Sequence, residues 1–342
     1  QLKINKAYIS RQVGWYEQLI IQNIADASPG VKWHVGNNHT LFAEHELPFE
    51  LSNLPISFTG FRKKVEPINA RNVQAKATYL PKPCYFQSEK FNLSRQNQVK
   101  PCTEPFTGGE TAGLFQLTQY FNSSAPARYK ATRNTLDGWE RSTKFSPWLA
   151  NGCLSPIQVL TELKQFEHHH GANESTYWIA FELLWREYFQ WYGHRYQQRL
   201  FTFAGIKQQP PLTSFYPERF TKWSQGLTPY PIVNACMKQL NQTGYMSNRG
   251  RQIVASCLVN ELQLDWRYGA RYFEQHLIDY DIASNWGNWQ YLAGVGADPR
   301  GLRHFDLTKQ TQQFDPNGQF IEKWQGECRL PLDSVDAADW PC

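Results

Sequence analysis

The run from Ser175 to Tyr192 limits the fold more than any other part of the sequence. It is long, and apolar side chains fall on several of its helical faces. A helix of that kind is buried among other elements rather than laid on a surface. Two charges sit inside it, Glu182 and Arg186, and ionised groups are costly to bury unless paired or bound to a ligand. With Trp185 they fall at i, i+3 and i+4, which places them on one face. An ordinary Glu182–Arg186 pair meets that cost, and so does the wall of a pocket.

The rest of the pattern is helical from Gly108 onward. Helices are expected over Glu110–Ser123, Ser155–Phe166 with Pro156 in its first turn, Ile232–Gln242, Arg249–Leu262 and Ala270–Leu277. Residues 1–65 read differently. Ile4–Ser10 and Gly30–Val35 are strand-like, and Trp15–Ala27 places Trp15, Leu19, Ile20 and Ile24 near helical spacing between them. One helix between two strands fits a βαβ unit, hence a parallel sheet of the kind normally covered on both faces. Residues 66–107 are polar and carry Pro67, Pro81, Pro83, Pro101 and Pro105, as an interdomain linker does. Residues 326–342 read as a loose tail.

Composition narrows the class. The 342 residues suffice for two domains and a large core, and 41% are hydrophobic. Aromatics reach 15%, with 13 Trp, which fits either a Trp-rich core or stacking platforms for bases or a cofactor. A net charge of +5 is compatible with a phosphate-contacting face but does not require one. The seven Cys form no CxxC pair, which argues against a zinc ribbon and for reduced thiols in a cytoplasmic protein. No run approaches the ~20 apolar residues of a membrane span, and the first residues do not read as a signal peptide. His168-His-His170 reads as an exposed helix end rather than a metal site, and Asp298-Pro-Arg300 with Arg303 as a loop anchored to the core.

Three further segments carry chemistry. Tyr129–Asn134 followed by Ser142-Thr-Lys-Phe-Ser-Pro-Trp148 collects hydroxyls and a Lys before an apolar run, which suits either a helix cap or a phosphate cradle. Asn248-Arg-Gly-Arg-Gln252 sets two Arg and an Asn around a Gly, either a solvated helix start or a phosphate contact. Asp279-Tyr-Asp-Ile-Ala-Ser-Asn-Trp-Gly-Asn-Trp289 packs two carboxylates, two amides and two tryptophans into eleven residues, a set that suits a buried redox-active ring.

With Thr243–Gln252 and Phe181–Arg186, this last segment resembles the photolyase/cryptochrome family. The Asn-Arg-Gly-Arg-Gln run is most similar to its DASH-type members, flavoproteins that use blue light to split pyrimidine dimers, mainly in single-stranded DNA. The resemblance implies a mostly α fold, with an all-helical FAD-binding domain over residues 108–325 preceded by a partial Rossmann-like α/β antenna domain over 1–65. The chain then starts near the antenna domain's fourth strand, which leaves an unpaired edge and bare apolar faces.

By the same resemblance FAD is held by Tyr129, Ser142, Thr143, Lys144, Phe145, Ser146, Glu182, Arg186, Asn248, Arg251, Asp279, Tyr280, Asp281 and Asn285. Arg251 pairs with Asp279, and Asn285 faces the reactive ring nitrogen. Glu182, Trp185 and Asn285 are the catalytic residues. Glu182 hydrogen-bonds the dimer with a raised pKa, and Trp185 stacks on it. Trp185, Asn248, Arg249 and Gln252 contact DNA, Gln252 standing where other classes place Met. Trp289 and Trp266 are the inner and middle members of an electron relay whose outer position reads Thr213, with Tyr216 nearby to replace it. A reduced folate, 5,10-methenyltetrahydrofolate, is the antenna of such proteins. Here its segment reads Arg11-Gln-Val-Gly-Trp-Tyr-Glu17, with Glu17 kept and Tyr16 where Glu is common. The expectation is a monomeric, FAD-dependent enzyme that repairs cyclobutane pyrimidine dimers in single-stranded DNA. The alternative is a blue-light receptor that signals without repair.

Overall fold

The computed structural model describes residues 4–73, 79, 106–298, 301, 303–328 and 330–333. Most of the expected linker, with Pro81, Pro83, Pro101 and Pro105, lies outside these residues, as do Arg300 and Cys84, Cys102 and Cys342.

The chain begins with strand β1 (Lys6–Ser10), helix α1 (Trp15–Asp26) and strand β2 (Lys32–Gly36). The strands pair in parallel, Lys6 opposite Lys32 and Ser10 opposite Gly36, with α1 as the crossover. The apolar row of α1 is not covered by other described residues: Leu19, Ile20 and Ile24 are all exposed, as are Tyr8 and Val35 on the strands.

Helix follows helix after that. In order they are α2 (Phe58–Val65), α3 (Glu110–Phe121), α4 (Tyr129–Thr132), α5 (Ser146–Ala150), α6 (Pro156–His170) and α7 (Glu174–Tyr196). Then come α8 (Pro217–Gln225), α9 (Pro231–Thr243), α10 (Asn248–Asn260) and α11 (Trp266–His276). Last are α12 (Ile282–Leu292), α13 (Leu307–Phe314) and α14 (Gln319–Lys323).

Local chemistry sets these boundaries. Ser155 caps α6 in a reciprocal box with Gln158, Pro156 takes the first turn, and Gly171, at φ 82°, ends the helix. Asn173 caps α7 by accepting from the backbone N–H groups of Ser175 (2.8 Å) and Thr176 (3.0 Å). Ser247 and Asp281 do the same for α10 and α12. Each such cap stabilises its helix by about 1 kcal/mol. The His168–His170 run is the last turn of α6, and the described residues contain no cluster of metal-ligating groups. Arg303 pairs with the buried Asp298, which anchors their loop as the sequence suggests.

Helix α7 is the hub. It packs on α2, α4, α6 and α12, and Tyr188, Trp191 and Tyr192 are fully buried. Of the two arrangements the sequence allowed, the Glu182–Arg186 pair is not formed. Glu182 is bound by Arg133 from beyond the end of α4, and Arg186 donates to the His39 carbonyl (2.5 Å) and lies 4.0 Å from Asp281. Glu187, one residue on, ties the helix to the segment after β2. Its carboxylate accepts from the backbone N–H groups of Leu41 (2.7 Å) and Phe42 (3.2 Å) and from the Trp191 indole (2.7 Å).

Burial pushes the Glu187 carboxyl up to about 7, against its hydrogen bonds and Arg186, which pull it down. The native state therefore keeps this proton in a pH range where the unfolded chain has lost it. Stability falls as pH rises from near 4.5 to about 7, by about 3 kcal/mol for this one group. Denaturant titrations across that range should show this decline in the native protein. In Glu187→Gln, which keeps an acceptor but cannot ionise, the decline should be smaller by that amount.

Candidate functional site

Three cavities adjoin one another beneath α7 and α12. The first, about 540 Å³, is walled by Asn248, Arg251 and Gln252 of α10, by Asp279–Asp281, and by Asn285 and Trp289 of α12. The second, about 670 Å³, lies among Tyr129, Ser142, Thr143, Lys144, Ser146 and Glu182, and shares Asn248 with the first. The third, about 1090 Å³, is bounded by Asn38, His39, Arg186 and Gln190 and shares Tyr280 and Asp281 with the first. The run of three adjoining cavities suits a ligand with several parts.

The first cavity is polar on one side and aromatic on the other. Asp279 is buried and takes both its hydrogen bonds from Arg251 Nη2, at 2.9 and 2.8 Å. Arg251 is itself held by the Met246 carbonyl, 2.9 Å from its Nε. The pairing expected from sequence is therefore present. Asp281 caps α12 through the Ser284 N–H (2.7 Å) and also accepts from Gln190 Nε2 at 3.0 and 2.9 Å. Asn285 lines the cavity with its side-chain amide donating to the Ala270 carbonyl (3.0 Å). That bond fixes the side chain and leaves its oxygen as an acceptor. Trp289 lies directly over Gly269, where a Cβ would come within 2.2 Å of the indole, so glycine is required there for close approach.

The second cavity is cationic. Lys144 is buried, at 9% exposure, and sits at φ 57°, a left-handed conformation unusual for a side chain of its size. Its ammonium lies 3.4 Å from the Tyr245 hydroxyl and 4.4 Å from that ring's centre. Among the described residues no carboxylate is within salt-bridge distance of it. It also lies 5.9 Å from the centre of the Trp139 ring, and a buried cation among aromatic rings with no ion-pair partner at contact distance is matched to an anionic ligand. Ser142, Thr143 and Ser146 supply hydroxyls around it.

Glu182 forms the edge of this cavity. Burial raises its carboxyl above the usual carboxylate range, opposed by Arg133. Arg133 is itself stacked over the Trp178 ring, its carbon 4.2 Å from the ring centre.

Some expected site residues lie elsewhere. Phe145 is buried against Tyr120 and Phe121, at ring distances of 5.3 and 6.1 Å, so its side chain is core and faces no cavity. Trp185 lines none of these three cavities: Phe58 of α2 stacks on it at 3.8 Å and Phe189, one turn along α7, at 5.5 Å. Arg249 turns from the cavities to stack on Phe314 (4.7 Å) and to donate to Asn134 (3.2 Å). Tyr216 is exposed under the Arg219 guanidinium.

Sequence reasoning passed over several participants. Gln190 continues the row Glu182, Arg186 at i+4, and that spacing was the available signal. Arg133 stood in a segment already singled out. Nothing in the local sequence marks Tyr245, Phe58 or Tyr291 as neighbours of Lys144 and Trp185. Tyr291 packs edge-on against Trp185 (5.7 Å) with Arg303 over its own ring.

Residues 178–337 match the family model of the FAD binding domain of DNA photolyase. Over nearly the whole chain, a cryptochrome DASH of Idiomarina loihiensis is 55% identical, covering 99% of this chain and 76% of that protein. One of Vibrio parahaemolyticus is 56% identical with the same coverage. The chain belongs to the DASH cryptochromes. The solved structure of Synechocystis cryptochrome superimposes on it with a TM-score of 0.83 at 39% identity, covering 98% of this chain and 73% of that one. The mostly α, photolyase-type fold and FAD as cofactor follow for this DASH cryptochrome.

The residues present fit that cofactor. The cationic second cavity suits a diphosphate, and the first, with its carboxylates, amide and indole, suits a planar ring with polar edges. Lys144→Met keeps the side chain's bulk and removes the buried charge. It should weaken FAD binding by about 1.5–3 kcal/mol, the worth of a hydrogen bond to a charged group. Calorimetric titration of the apoprotein with FAD measures this, and an unchanged affinity would show that no phosphate sits beside Lys144.

Proposed function

We propose that this DASH cryptochrome is a light-driven repair enzyme for cyclobutane pyrimidine dimers, acting mainly on single-stranded DNA. FAD in its reduced state supplies the chemistry, an electron delivered on excitation by blue light. The chain's own residues bind, orient and stabilise.

The observation that carries this reading is Glu182. Its carboxyl is half-buried at a cavity edge beside Trp185, its pKa is raised by burial, and it is paired with Arg133 across the cavity wall. A carboxyl with a raised pKa can donate a hydrogen bond or a proton to a base carbonyl on which negative charge builds up. Asn248, shared by the first two cavities, lies between this acid and the ring site. Trp185, Phe58 and Tyr291 form an apolar wall next to it. Arg141, exposed at the rim of the second cavity, offers a positive charge of the kind that a nucleic-acid backbone requires. A single-stranded substrate fits because a dimer in a duplex must first be unpaired and flipped, at a few kcal/mol.

The stacking of Phe58 on Trp185 favours a second reading, a photoreceptor that signals to a partner and repairs nothing. Such a receptor needs the flavin site and makes no use of Glu182. Glu182→Ala separates the two. With repair as the function, turnover on a dimer-containing oligonucleotide should fall by about 10²–10⁴, the loss typical of removing a general acid, while FAD content stays as in the native protein. Full repair by this variant would remove Glu182 from the chemistry. No repair by the native protein, with FAD bound, would favour the receptor.

A further inference from the structure

Helix α11 carries a repeat that the three cavities do not use, Arg267-Tyr268-Gly-Ala-Arg271-Tyr272. Residues four apart lie one turn apart on a helix. Tyr268, Tyr272 and His276 therefore form one row, and Arg267 and Arg271 a second row beside it. The opposite face packs inward, with Trp266, Gly269, Ala270 and Phe273 buried. Tyr268 and Arg271 are exposed, and Tyr272 and His276 are half-buried. Arg267 is bound by Asp265 (2.7 Å). Arg271 has no carboxylate of the described residues within salt-bridge distance. Glu274, the one acid in α11, lies near Tyr280, whose phenol is pushed up by burial first and by this carboxylate second.

The rings on this face are already fixed in stacks. Phe215, from the segment ahead of α8, stacks on Tyr268 with centres 4.1 Å apart and planes 20° apart. Backbone bonds hold that segment against the start of α11: the Ser214 N–H donates to the Gln263 carbonyl (3.0 Å), and the Ser214 carbonyl accepts from the Asp265 N–H (2.7 Å). His276 stacks on Tyr272 at 3.9 Å and 17°, its Nδ1 bonded to the Tyr272 carbonyl (2.8 Å). Phe220 of α8 joins the two stacks, 5.9 Å from Tyr268 and 6.1 Å from Tyr272. Ring planes held this way, with an unpaired guanidinium alongside, suit unpaired bases and their phosphates, because every base has a π-face to stack. A protein helix is usually seated by an aliphatic groove, and the row of α11 contains no aliphatic side chain. A duplex does not fit, since its bases are stacked on one another.

We propose that this face of α11 is a second contact for unpaired nucleic acid, where bases stack on the Phe215–Tyr268 and Tyr272–His276 pairs and Arg271 meets a phosphate. It lies on the side of α11 away from the first cavity, because Gly269, on the inner side, meets the Trp289 wall of that cavity. The contact therefore takes undamaged strand, with no base extruded and no chemistry, and does not depend on what the cavities do. As a second point of attachment it lengthens the stay of the protein on long single strands. Ring faces and phosphates are common to DNA and RNA, so this chemistry serves both.

The test is fluorescence anisotropy of labelled oligothymidylate and oligouridylate, both free of dimers, titrated with the purified full chain carrying its FAD at several salt concentrations. The native protein should bind, and the tighter of the two strands tells whether DNA or RNA is the ligand. Tyr268→Ala should weaken binding by about tenfold, the worth of one lost base stack, and Tyr268→Phe should keep it. Arg271→Gln should reduce the slope of log affinity against log salt by about 0.7, the share of one phosphate on a single strand. Phe115→Ala, which removes a more exposed ring on α3, should change neither quantity. Arg271 is exposed, so its slope decides the matter even if Tyr268→Ala misfolds. Native affinity and native salt slope in both Tyr268→Ala and Arg271→Gln would overturn the proposal. So would a native protein that light scattering finds dimeric and Tyr268→Ala makes monomeric, which would give the face to a second copy of the chain.

Discussion

The charged row on the buried helix α7 is the constraint around which the rest is arranged. Glu182, Arg186 and Gln190 lie one turn apart on a helix that has little surface of its own, and Glu187 lies beside them. Each needs a partner, because an unpaired polar or charged group at such depth costs several kcal/mol. Apart from the Trp191 indole, which donates to Glu187, the partners come from outside α7. Arg133 arrives from the segment after α4, Asp281 from the start of α12, and the His39 carbonyl and the Leu41 and Phe42 N–H groups from the segment after β2. Meeting the demands of one helix therefore draws the α/β segment, the segment after α4 and the start of α12 towards it.

The same contacts set the electrostatics of the site. Arg251 neutralises the buried Asp279, and Gln190 and Arg186 orient Asp281, so the two carboxylates of the Asp279–Trp289 segment are held still on one side of the first cavity. Lys144 is the exception. Its ammonium is buried with no carboxylate of the described residues within salt-bridge distance, so the second cavity suits an anion. A site of this kind has most of its binding geometry in place before the cofactor arrives.

Much of this was legible in the sequence, for identifiable reasons. The βαβ start, the long buried helix and the capped helices all announce themselves through short-range periodicity and end signals. The i, i+4 row on α7 and the Arg251–Asp279 pair could be expected because the segments carrying them are short and chemically dense. Phe145 was misplaced because it sits between residues that do face the cavity. It stands just before the first turn of α5, where the chain changes direction after the left-handed Lys144, and the core took this side chain. The stacking of Phe58 on Trp185 was not legible because Phe58 lies far away in the chain.

Local order was thus decided by the sequence itself: which stretches are helical, where they begin, and which residue types are available to hold a flavin. These depend on interactions within a few residues, whose geometry a helix dictates. Pairings between segments were decided by the tertiary structure. Arg133 rather than Arg186 binds Glu182, Phe58 stacks on Trp185, and Trp223 meets Trp289 ring to ring. Those choices depend on how helices pack, and packing is set by the fit of whole surfaces that no local pattern encodes.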